Sequence, residues 1–116
     1  MDLLPLLRGG EGRGEVGDAP MTDERNMIAE TAARLFAAHL DTAVIEAAEA
    51  GTWPAALWDE IAANGLDRVL VPEEKGGIGG SWEDAFVILR AAGRHAAPVP
   101  LAETIGAGYL LAQAGL

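Results

Sequence analysis

Apolar side chains return along most of this chain every three or four positions, the spacing that lines one face of a helix. Over Thr22–Leu40 the stripe is Ile28, Ala32, Leu35, Phe36 and His39, with Thr22 placed to cap and Asp23 and Glu24 at the positive helix end. A shorter helix is predicted from Asp41 to Ala50, with Val44, Ile45 and Ala48 inward and Gly51 ending it. The third begins near Thr52 or Trp53, has Pro54 in its first turn and turns Leu57, Trp58 and Ile61 to the core. Gly65 fits the left-handed position that stops a helix, and Leu66 beyond it folds back on Ile61.

The period is then lost. Residues 68–72 (RVLVP) are expected to be extended, because Pro72 disfavours helical geometry at Val71, and the loop EEKGGIGG follows. Ser81 with Asp84 three positions on starts a fourth helix as a capping box, with Ala85, Phe86, Leu89 and Ala92 as its apolar set. After the proline-broken stretch His95–Pro100, Leu101–Ala114 makes a fifth helix. It is apolar on most sides (Leu101, Ile105, Tyr109, Leu110, Leu111), and Gly106 and Gly108 leave room for a neighbouring backbone. The expected core is Leu57, Ile61, Phe86 and Leu89. The fold class is all-α, a small bundle of about five helices.

Residues 1–20 differ from all of this. Glycine, charge and proline without a period predict a disordered extension, and Met21 reads as a natural start, so the domain is placed at 21–116. The leucine cluster Leu3–Leu7 has the spacing of a short docking motif, but Pro5 interrupts it.

Half the residues are apolar and only 5% aromatic, with alanine prominent, which favours close-packed helices over a sheet. A net charge of −10 repels phosphate backbones and argues against nucleic acid. Cysteine is absent, so thiolate metal sites and cysteine nucleophiles are excluded. No apolar run reaches membrane-spanning length, and the cytoplasm is the expected location.

Candidate chemistry is thin. A phosphate loop would want its lysine after the glycines, whereas Lys75 precedes them beside Glu73 and Glu74, and Trp82 occupies the third glycine position of a dinucleotide fingerprint. His39 and His95 lack metal-ligand spacing and are expected to be half-buried helix-end residues. Ser81 is the only serine. Gly79-Gly80-Ser81-Trp82 loosely resembles the attachment site of phosphopantetheine carrier domains, one alternative reading; a stand-alone helical module dimerising through the fifth helix is another.

Three stretches together resemble the N-terminal helical domain of the acyl-CoA dehydrogenase family. Leu57–Ser81 (LWDEIAANGLDRVLVPEEKGGIGGS) is similar to that family's helix, Gly-Leu turn, Val-Pro-Glu-Glu and glycine loop, in that order; Asp84–Arg94 is similar to its helix ending in Gly-Arg; and PVPLAETIGAGYLLAQAGL resembles the proline-flanked entry to the next helix. The resemblance implies part of a flavoenzyme that introduces a C=C bond α,β to an acyl-CoA thioester, a carboxylate removing the α proton and the β hydride passing to FAD. It implies a β middle domain, a C-terminal helical domain and an oligomeric assembly as partners. No position here matches the catalytic carboxylate, so the chain alone is expected to be inactive and to bind no FAD. The helix after Pro100 corresponds to one that walls the acyl pocket, which makes Leu101, Glu103, Thr104 and Gly108 the candidate substrate-binding residues.

Overall fold

A computed structural model describes residues 23–116. The proposed extension 1–20 and the Thr22 cap lie outside the described residues. Five α-helices follow one another: α1 (Asp23–His39), α2 (Thr42–Glu49), α3 (Ala55–Ala63), α4 (Trp82–Arg94) and α5 (Leu101–Gln113). Two 3₁₀ turns, Leu66–Arg68 and Glu73–Lys75, lie between α3 and α4, and no strand occurs among the described residues.

The helix boundaries follow from local chemistry. Asp41 caps α2 by accepting a hydrogen bond from the Val44 N–H at 2.9 Å. Ser81 caps α4 in a reciprocal capping box: its Oγ accepts from the Asp84 N–H at 3.1 Å, and Asp84 Oδ2 accepts from the Ser81 N–H at 2.9 Å. The third helix differs from expectation. Neither Thr52 nor Trp53 caps it; Pro54 takes that position and makes no side-chain cap.

At their C-termini, α2, α4 and α5 close with the same paired bonds. Thr52 and Gly51 donate to the Ala47 and Ala48 carbonyls, Ala97 and Ala96 to Ala92 and Gly93, and Leu116 and Gly115 to Leu111 and Ala112. Gly51 and Gly115 supply the left-handed residue, at φ 104° and 83°, while α4 uses Ala96 at φ 51°. A β-carbon in that region costs about 1 kcal/mol. Ala96→Gly is therefore expected to stabilise the domain by about 0.5–1 kcal/mol, raising its thermal midpoint by a few degrees in a circular-dichroism melt.

The core is one cluster: Ala32, Leu35 and Phe36 from α1, Leu57 and Ile61 from α3, Leu66 and Val69 from the following turn, Ala85 and Ile88 from α4, Leu101 and Ile105 from α5. Leu57 and Ile61 take their expected places. Phe86 and Leu89 do not, being only partly buried, and Ile88, fully enclosed, stands where they were expected. α4 lies along α1, and that packing selects the Ala85–Ile88 side of the helix. Arg25 Nε donates to Asp84 Oδ1 at 3.2 Å, so the residue that caps α4 also ties it to the start of α1.

Residues 68–72 are not an extended segment. Leu66–Arg68 form a 3₁₀ turn, Val69 keeps helical angles (φ −61°, ψ −33°), and Pro72 is extended (φ −60°, ψ 153°). Proline constrains only the residue before it, whereas burial of Leu66 and Val69 curls the chain into the core. Arg68 pins this turn: its guanidinium donates to the Ala62 carbonyl at 2.8 Å and to the Gly76 carbonyl at 3.1 Å.

Candidate functional site

The glycine loop packs against the turn before it. The amides of Gly77, Ile78, Gly79 and Gly80 donate to the carbonyls of Pro72, Arg68, Val71 and Val69, at 2.7–3.2 Å. All four of these loop N–H groups are thus engaged by backbone carbonyls. Both histidines sit half-buried at helix ends. The Nδ1 of each lies within hydrogen-bond distance of the carbonyl four residues back, His39 with Leu35 at 3.3 Å and His95 with Ala91 at 3.0 Å. Among the described residues no group of His, Cys, Asp or Glu is placed to hold a metal ion.

Two concavities carry the remaining possibilities. The larger, about 460 Å³, lies between the start of α1 and the glycine loop. Its ionisable lining is Glu24, Glu73 and Asp84 against Arg25, and Arg25 is already paired with Asp84. A diphosphate-bearing cofactor would meet net repulsion there. Ser81 lines the same cleft with its hydroxyl engaged in the helix cap.

The second is a groove of about 190 Å³ between α4 and α5, formed by Trp82, Ala85, Phe86 and Leu89 on one side and Ala102, Ile105 and Gly106 on the other. The lining is apolar throughout. Beside it Trp82 meets Tyr109 edge-on, with ring centroids 4.9 Å apart, which ties the start of α4 to the later part of α5. A β-carbon on Gly106 would touch nothing within 4 Å, so this glycine widens the groove instead of admitting a neighbour from this chain. Farther along α5, Leu110 and Leu111 are 66% and 52% exposed. The apolar surface of α5 thus faces outward as well as inward, as its all-round composition predicts.

The four residues singled out in the sequence are distributed around α5. Leu101 is buried in the core. Thr104 Oγ1 donates to the Pro100 carbonyl at 2.8 Å within its own helix. Gly108 faces the Val71 side chain, whose Cγ2 would lie 3.2 Å from an added β-carbon. Glu103 is exposed, one position beyond Ala102. The groove itself is built from Ala102, Ile105 and Gly106 with Trp82, Phe86 and Leu89, a set that sequence reasoning missed by assigning Phe86 and Leu89 to the core.

The sequence matches the family model of the acyl-CoA dehydrogenase N-terminal domain over residues 22–115. The chain belongs to the acyl-CoA dehydrogenase family. Among curated relatives, it is 36% identical over 85 residues to acyl-CoA dehydrogenase IpdE2 of Mycobacterium tuberculosis, covering 71% of this chain and 27% of that protein. It is 35% identical over 99 residues to acyl-CoA dehydrogenase IpdE2 of Mycolicibacterium smegmatis, covering 82% of this chain and 32% of the relative. The chain therefore spans about a third or less of the length of these acyl-CoA dehydrogenases. No solved structure matches it significantly. No helix among the described residues is long and apolar enough to cross a membrane.

Family membership raises the question of flavin. Neither concavity fits FAD: the acidic cleft repels a diphosphate, and the groove offers no polar group to hold one. The groove offers apolar side chains and the Gly106 backbone.

Proposed function

We propose that residues 21–116 act as the N-terminal helical domain of a flavin-dependent acyl-CoA dehydrogenase, catalysing α,β-dehydrogenation of an acyl-CoA thioester only as part of the complete enzyme. In that enzyme FAD, when bound by the other domains, would supply the hydride acceptor. This chain assigns no residue to the chemistry. Its part is to wall the acyl pocket and to pack against the middle and C-terminal domains in an oligomeric assembly. The observation that carries this reading is the apolar groove along α4 and α5, continued by exposed Leu110 and Leu111, in a chain of this family. Within α5, Ala102, Ile105 and Gly106 offer the wall. Leu101, Thr104 and Gly108 hold it in position from behind, and Glu103 stands at its exposed edge.

The purified chain is expected to be colourless and to show no acyl-CoA-dependent reduction of an artificial electron acceptor. Fused to the middle and C-terminal parts of the M. smegmatis relative, it is expected to bind flavin and turn over. In that fusion, Gly106→Leu should raise the KM for acyl-CoA on the order of tenfold at unchanged flavin content, because the added side chain fills the groove. Flavin bound to the isolated chain, or a KM indifferent to Gly106→Leu, would overturn the proposal.

A further inference from the structure

We propose that the chain pairs with a second copy of itself through the outward face of α5, the two α5 helices lying antiparallel. The pairing concerns the chain by itself and does not rest on the acyl-pocket reading, so either can fail alone. Three features of α5 carry it.

The first is a stripe that complements itself. Glu103, Gly106, Leu110 and Gln113 recur every three or four positions and so share one side of the helix. Glu103, Leu110 and Gln113 are exposed, Leu110 by 66%, and a β-carbon on Gly106 would meet nothing within 4 Å. The stripe therefore holds a projection at Leu110 and a notch at Gly106, one helical turn apart. In an antiparallel pair whose two-fold axis passes at Gly108, each Leu110 enters the Gly106 notch of the other copy. Such a contact closes on itself, because the same two residues serve on both copies.

The second is polar matching. On a chain of net charge −10, most faces of two copies repel one another. α5 carries a single charged side chain, Glu103. The same register sets each Glu103 opposite the other copy's Gln113, whose amide donates to a carboxylate. It also keeps the two Glu103 side chains about 15 Å apart along the axis. A parallel pair would instead set Glu103 against Glu103, which favours the antiparallel arrangement.

The third is area. Exposed Ala107 and Leu111 flank the stripe. The 13 residues of α5 make a face about 20 Å long, which with Phe86 and Leu89 at the groove rim buries on the order of 500 Å² per copy. A total of about 1,000 Å² exceeds most crystal contacts and suits a reversible dimer, with a Kd on the order of tens of micromolar.

Sedimentation of the purified chain over a concentration series tests the pairing. Its mass is expected to rise from 12.0 kDa toward twice that value as the concentration passes the Kd. Leu110→Glu lies outside the core, so it should keep the circular-dichroism melt of the parent and hold the chain at 12.0 kDa. Gln113→Glu, at an exposed position, should weaken pairing about fivefold by setting carboxylates opposite one another, and adding Glu103→Gln should restore it. A chain that stays at 12.0 kDa up to about 1 mM would overturn the proposal. So would pairing that survives Leu110→Glu, which places the interface on another face. A Gln113→Glu variant that pairs as tightly as the parent, or one that Glu103→Gln does not repair, would do the same.

Discussion

Gly77→Ala is expected to destabilise the domain by about 3 kcal/mol, enough to move a urea midpoint by more than 1 M. A β-carbon at that position would lie 2.1 Å from the Val71 carbonyl oxygen and 2.4 Å from the Val71 Cβ. Two of the three nearest atoms are backbone, so no rotamer change relieves the clash. Relief requires the glycine loop to lift from the 66–71 turn, and with it the amide bonds from Ile78, Gly79 and Gly80 that hold the two together. Gly93→Ala is the control. Its added carbon meets nothing within 4 Å inside α4, where alanine is the better helix former, so a gain of about 0.5–1 kcal/mol is expected. Equal effects at the two positions would mean that the loop does not pack as described.

The second large effect is expected at Ile88. It is fully enclosed where α4 meets α1, and Ile88→Ala should cost about 3 kcal/mol by leaving a cavity against Phe36 and its neighbours. Leu89→Ala removes a side chain that lines an open groove, and should cost about 1 kcal/mol in the isolated chain. Chemical denaturation of the two variants side by side reads the difference. A larger loss at Leu89 than at Ile88 would reverse the assignment of the two faces of α4.

These two residues show where sequence reasoning succeeds and where it stops. On α4, Ala85, Ile88 and Ala92 form one helical-spaced apolar set, and Trp82, Phe86 and Leu89 form another about one position round. Periodicity identifies both sets as apolar but has no means of ranking them. Packing made the choice: Ala85 and Ile88 join Ala32 and Phe36 of α1 in the core, while Phe86 and Leu89 stay partly buried along the groove. The same limit applies to α5. Gly106 and Gly108 read alike in the sequence, yet one opens a groove and the other backs onto Val71. The RVLVP segment was misread for a related reason: a local preference set by Pro72 yielded to the burial of Leu66 and Val69.

From the amino-acid order alone followed the number of helices, the cap at Ser81, the glycine stops at 51 and 65, and the family, because each depends on contacts within a few residues or on motif order. Which apolar face is core and which is left open waited on packing, since burial is a relation between segments distant in the chain. That is why the groove of Trp82, Phe86, Leu89, Ala102, Ile105 and Gly106 emerged only when α4 and α5 were set side by side.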